Sequence, residues 1–175
     1  NWLNGKYIRE EMSDSEFADK YAKWAFPAKN LKNLIPLVRE RVDKFTDVME
    51  LVSFFLSGDV GLTEQNFQKV RLDREEILRV FQFSLWRLEE ITEWNKESIQ
   101  IELQYLSKQL DIKLREFLSP LFVAMTGKAA SISVIESIAI LGIDMFRARI
   151  RDAIKVYGGI SKKMEKSLLA EYRQL

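Results

Sequence analysis

Asp73-Arg74-Glu75-Glu76-Ile77-Leu78-Arg79-Val80-Phe81-Gln82-Phe83-Ser84-Leu85-Trp86-Arg87-Leu88-Glu89-Glu90-Ile91 repeats its apolar residues at three- and four-residue intervals. Ile77, Phe81, Leu85 and Leu88 therefore share one face of an α-helix. Leu78 and Trp86 widen that face, as expected of a helix that packs on two sides. Similar spacing recurs on both flanks while two-residue alternation is scarce, so the chain reads as all-α.

Working upstream, Ser13-Asp14-Ser15-Glu16 forms a capping box and predicts a helix whose buried stripe is Phe17, Tyr21 and Trp24. Leu31, Leu34, Ile35 and Val38 make a second stripe, in which Pro36 predicts a kink or a break. Val48, Leu51, Val52 and Phe55 make a third, and the polar stretch from Ser57 to Leu72 reads as a connecting loop. Downstream, Ile99, Leu103, Leu106 and Leu110 continue the pattern through another long helix. Leu114, Phe117 and Leu121 then run into Thr126-Gly127, a left-handed helix end. Ser133-Val134-Ile135-Glu136 is a second capping box above Ile132, Ile135 and Ile138, and Gly142-Ile143-Asp144 breaks the helix it opens. Phe146, Ile150, Ile154 and Tyr157 line the next helix, Gly158-Gly159 stops it, and Met164, Leu168, Leu169 and Tyr172 line the last. Two helical subdomains are expected, residues 1–107 and 108–175, with the hand-over between residues 94 and 111.

Composition removes whole classes of chemistry. The 175 residues include no cysteine and no histidine, so disulfides, thiol nucleophiles, thiolate or imidazole metal sites and histidine-based triads cannot be built. Among 27 basic and 26 acidic residues, carboxylates read as a solvated surface, and no catalytic or metal role is assigned to them. The charge is unevenly spread: from Lys108 onward 12 basic residues face 7 acidic ones, leaving 15 against 19 before it. The second part is thus the one suited to phosphates. No apolar run of bilayer length occurs and the start lacks a secretory leader. Opening on Asn in place of Met, the chain reads as a piece of a cytoplasmic protein, expected to be monomeric.

Three places can meet a ligand. The turn after Gly127 leads through Lys128, small residues and Ser131 to a helix N-terminus, where free N–H groups suit an anion. Arg147, Arg149, Arg151 and Lys155 form a basic cluster, Arg147 and Arg151 sharing a face. Arg39 and Arg41 follow Pro36 and point in different directions, one toward Asp43 or Glu40 and the other outward. Taken singly, each has a plainer reading as a cap, a solvated face or a surface ion pair.

Taken in order, the landmarks resemble one family. Asn1-Trp2-Leu3-Asn4-Gly5-Lys6-Tyr7-Ile8-Arg9 is similar to the trp-met-asn-gly-x-tyr-ile-arg stretch that follows the catalytic half of bacterial glutamyl-tRNA synthetases. Leu34-Ile35-Pro36-Leu37-Val38-Arg39-Glu40-Arg41-Val42 resembles their leu-leu-arg-x-arg helix. Pro120-Leu121-Phe122-Val123-Ala124-Met125-Thr126-Gly127 resembles pro-leu-arg-val-ala-leu-thr-gly, and Leu141-Gly142 with Arg147 to Ile150 matches a closing leu-gly-x-x-x-x-x-x-arg-leu. The resemblance covers essentially the whole chain.

It implies an all-helical, two-subdomain cage around the anticodon loop of glutamate tRNA. Arg41 falls where discriminating members read the third anticodon base, with Arg39 beside it. Ser131, Ile132, Val134 and Ile135 fall where the first two bases are contacted, flanked by Lys128 and Arg147. Phe122 stands where the family has arginine, exchanging a guanidinium for stacking or packing. The resemblance implies no cofactor for this piece, the parent's catalytic part handling ATP and magnesium, and no DNA or membrane partner. Signatures of that catalytic part are missing: Lys162-Lys163-Met164-Glu165-Lys166-Ser167 is too late and wrongly spaced to be the KMSKS type. The rival readings are a helical protein-interaction module, expected to expose a broad apolar patch, and the same region of a non-discriminating glutamyl enzyme.

Overall fold

Helices make up every regular element among the described residues of this computed structural model, which are 5–25, 28–128 and 133–175, the side chains of residues 24–31 excepted. The chain forms two compact units, Asn1–Phe45 and Thr46–Leu175. The hand-over expected between residues 94 and 111 lies within the second of these.

In the first unit a π-helical turn, Tyr7–Glu11, precedes α1, Asp14–Ala25, and α2, Ala28–Val38. The Ser13 capping box forms: Glu16 N–H donates to Ser13 Oγ at 3.3 Å and Ser13 N–H to Glu16 Oε2 at 3.1 Å. The stripe beyond it departs from expectation. Phe17 is 46% exposed and Tyr21 53%, their rings stacked 6.1 Å apart on the surface, and the Trp24 side chain lies outside the described residues. Helical spacing makes a shared face, but only a packing partner makes it a buried one. On α2, Leu34 and Val38 are buried while Ile35 stays half exposed. Pro36 falls in the last turn, and the helix tightens into a one-turn 3-10 helix, Arg39–Arg41.

The second unit opens with α3, Phe45–Leu56, followed by α4, Arg74–Glu89, α5, Lys96–Gln109, α6, Leu114–Thr126, α7, Val134–Val156, and α8, Lys162–Tyr172. Helix α4 is central and packs on α5, α6, α7 and α8. Its stripe is buried as its spacing requires, with Ile77 3%, Phe81 0%, Leu85 6% and Leu88 1% exposed. Full burial of such a side chain stabilises by about 1.5–3 kcal/mol. Ile99, Leu103 and Leu106 of α5, Phe117 and Leu121 of α6, Phe146 and Ile150 of α7 and Leu168 of α8 complete one continuous core.

Two details of this unit differ from the sequence reading, and a third agrees with it. The 57–72 connection is not featureless: a 3-10 turn, Glu64–Phe67, buries Phe67, whose ring meets Phe81 edge-on at 6.1 Å. An aromatic isolated in a polar stretch anchors the loop to the core. The Ser133 capping box does not form: the Ser133 side chain makes no cap bond, and the Glu136 carboxylate accepts from Lys96 Nζ at 2.6 Å. The break expected at Gly142 is present: its φ of 81° and ψ of 166° are not helical, and α7 is two helices joined across a kink there.

Candidate nucleic-acid interface

Helix α6 begins at Lys113, its N-cap, and carries Arg115, Leu118, Ser119 and Phe122 along one side. That side borders a groove of about 1020 Å³, lined also by Lys69, Val70, Arg71 and Val134. Lys69, Arg71, Lys113 and Arg115 are exposed at its rim, with Glu116 the acidic residue among them. Among the described residues, none of these four cations takes part in an ion pair. Their field is therefore available to a ligand, and the first free N–H groups of α6 add to it. Phe122 is half-buried on the floor with Val134, so the groove combines cations with apolar surface, the pairing that single-stranded RNA requires of a reader.

The end of α6 is tied down through Gly127 and Lys128. Gly127 ends the helix with φ 67° and ψ 4°, its N–H donating to Val123 O at 2.8 Å. Asn66 Nδ2 donates to Gly127 O at 2.9 Å, and Lys128 N–H to Thr126 Oγ1 at 3.2 Å. Lys128 Nζ donates to Glu50 O at 2.9 Å, so this cation anchors the turn to α3. Ser131 and Ile132 lie outside the described residues. Val134 and Ile135 open α7, the first buried and the second half-buried against the core.

The basic cluster on α7 is not one ridge. Arg147 donates to Glu89 Oε1 at 2.6 Å and Asp144 Oδ1 at 3.1 Å, and Lys155 to Asp152 at 2.7 Å. The Glu89 contact first, then Asp144, holds the Arg147 guanidinium above its ordinary pKa. Arg149, read as part of the cluster, is 1% exposed and faces the core. Arg147 and Arg149 are two positions apart, which turns their side chains some 200° from each other on a helix. In the first unit Arg39 and Arg41 are exposed on the one-turn 3-10 helix.

Sequence reading missed Lys69, Arg71, Lys113 and Arg115. The interval from Arg115 to Phe122, two helical turns along one face, was the available signal; Lys69 and Arg71 come from a non-helical segment that periodicity does not reach. Among the described residues no cluster of carboxylates could hold a metal, and no helix is long and apolar enough to cross a membrane.

Helices, unbalanced cations and an apolar floor define the class for comparison, a helical RNA-binding domain. The family model for the anticodon binding domain matches residues 16–154, and the chain belongs to that family. It is 43% identical over 175 residues, 100% of this chain and 36% of the relative, to a glutamate–tRNA ligase of Marinomonas sp. strain MWYL1. Similarity to the glutamate–tRNA ligase of Marinobacter nauticus is 41% identity over 99% of the chain and 35% of the relative. The chain thus spans about a third of the length of these curated relatives and matches their C-terminal region. A glutamate tRNA ligase structure from Elizabethkingia meningosepticum shares the fold, with a TM-score of 0.66 and 18% identity over 88% of this chain and 31% of that one.

Proposed function

We propose that this chain grips the anticodon loop of glutamate tRNA and positions it for a glutamate–tRNA ligase whose catalytic part, with ATP and magnesium, lies elsewhere in the parent, a monomeric cytoplasmic enzyme. The observation that carries this reading is the groove on α6, where exposed cations without acidic partners surround Phe122 and Val134 in a chain of the anticodon-binding family. Phosphates follow the rim and an unstacked base lies on the Phe122 ring. Val134, Ile135, Ser131 and Ile132 read the first two bases beside it, Lys128 holds their turn and Arg147 supports α7. Arg41, flanked by Arg39, reads the third base from the first unit.

The test is a salt titration of an RNA stem-loop bearing the glutamate anticodon. Affinity should fall linearly on a log–log plot, and Lys113→Gln with Arg115→Gln should reduce the slope by about 1 for each phosphate contact removed. A flat salt dependence, or equal affinity for a loop of scrambled sequence, would overturn the reading. One observation favours a second role for the first unit: Tyr7, Phe17, Tyr21 and Ile35 are 47%, 46%, 53% and 45% exposed, a surface suited to an apolar protein contact. Binding through that surface would be insensitive to salt, so the same titration separates the two.

A further inference from the structure

Arg149 combines burial with charge in a way that the groove does not use. It is 1% exposed, and among the described residues no carboxylate pairs with it. Nη1 donates to Met125 O, while Nη2 donates to Phe54 O and, at 2.7 Å, to Ser57 O. The guanidinium carbon also sits 6.0 Å from the centre of the Phe54 ring. Met125 lies in the last turn of α6, and Phe54 and Ser57 lie at the end of α3. Both are helix C-termini, whose final carbonyls lack intrahelical donors and carry partial negative charge. One guanidinium thus stands in for the missing donors of two helices, and the partial charges of their ends and the attraction of the Asp59 carboxylate offset its burial. Burial lowers its pKa to about 10, which leaves it charged at neutral pH.

The consequence reaches the turn that follows. Helix α3 is joined to this corner twice, through Arg149 at Phe54 and Ser57 and through Lys128 at Glu50. Asn66 fixes Gly127 from the 57–72 connection. The end of α6, from Met125 through Lys128, is therefore fixed before any ligand arrives, and a surface arranged in advance binds more tightly than one that must be ordered. The guanidinium's planar fork is what allows it to span two helices; a Lys ammonium offers a single point.

We propose that Arg149 is a positioning residue for RNA recognition, clamping the ends of α3 and α6 so that the end of α6, which brings Phe122 and Val123 to the groove, is held in its binding position; this role rests on the anticodon reading above. The experiment compares the whole chain with Arg149→Lys and Arg149→Met in binding the same glutamate anticodon stem-loop, and follows backbone hydrogen exchange in all three. Both variants should bind about tenfold more weakly, Lys failing to rescue, because the ordering cost returns at the moment of binding. Exchange should quicken at residues 126–128 and stay unchanged at Ile99–Leu106. Arg149→Lys binding within twofold of the parent chain, or exchange quickened equally throughout α5, would reduce Arg149 to ordinary core stabilisation and overturn the proposal. If neither variant folds, Asn66→Ala carries the test, since it cuts a separate tie to the same turn from a half-buried loop position; unchanged affinity there overturns the proposal equally. A parent chain that ignores the stem-loop would refute the anticodon reading itself, an outcome distinct from normal parent binding with an unaffected variant.

Discussion

On the proposed function, Phe122 and Arg41 are the residues whose side-chain chemistry would decide selectivity. Phe122 contributes to both the core and the groove floor, so its two roles must be separated by a substitution that keeps the volume apolar. Phe122→Leu does so. If a base stacks on the ring, stem-loop affinity should drop by about 1–3 kcal/mol in fluorescence anisotropy; affinity equal to the parent's would leave Phe122 with packing alone. Arg41→Gln removes a fork of donors, and third-base discrimination by the full-length ligase should relax by about 1–3 kcal/mol. Charging wild-type and third-base-altered glutamate tRNA measures it, and unaltered selectivity takes Arg41 out of the site. Spacing made Phe122 and Arg147 visible in the sequence, but not their surroundings. Arg147 and Arg149 look alike as letters, yet one is paired with Glu89 on the surface and the other is enclosed by carbonyls, a difference set by helical phase against neighbours far away in the chain.

Among the elements, the helices were legible wherever an apolar face and its packing partner coincide, as in α4 and α5, and illegible where a competing contact wins. Ser133 illustrates the second case: the motif is present, but the Lys96 ammonium takes the Glu136 carboxylate and the cap stays open. Ser13 illustrates the first, and its box makes α1 sensitive to acid. The backbone N–H and then the hydroxyl of Ser13, with Lys20 adding attraction, hold the Glu16 carboxyl below its ordinary value of 4.5. A depressed native pKa means that this stabilisation is complete above the ordinary carboxylate range and is lost as pH falls through the native value. Circular dichroism melts should therefore show Glu16→Gln less stable than the parent at pH 7, with the gap closing under acid; a gap that persists there would assign the loss to something other than the carboxylate's bonds to Ser13. The end of α6 makes a second demand. A Cβ at Gly127 would sit 2.8 Å from Val60 O, and its φ of 67° is left-handed. Gly127→Ala should lose about 1–2 kcal/mol from backbone conformation, plus the clash, read as a lower denaturant midpoint with unchanged m-value. A neutral result would mean that the Val60 segment moves away freely.

For the molecule as a whole, the sequence showed that the part from Lys108 onward carries the excess of basic residues; Lys113 and Arg115 bring it to the groove, where Lys69 and Arg71 from the earlier, more acidic part join them. Where the chain divides was harder to read, because amphipathic helices repeat without a compositional seam and only long-range contacts tell which faces meet. The compact units meet at Phe45 and Thr46, and the core from Phe67 to Leu168 lies wholly in the second. Ile99, Leu103 and Leu106 bring α5 into the same core as Phe146 and Ile150 of α7, so the helices on either side of residue 107 bury one another. A polypeptide of residues 46–175 should consequently unfold in one cooperative calorimetric transition, while residues 108–175 alone, with the α5-facing sides of α6 and α7 bare, should show none. Because the groove on α6 is contained in the larger piece and Arg41 is not, residues 46–175 should keep salt-dependent affinity for the anticodon stem-loop yet bind loops altered at the third base equally well. Retained third-base preference would move that reading out of the first unit, and loss of all binding would show that the groove needs the first 45 residues to function.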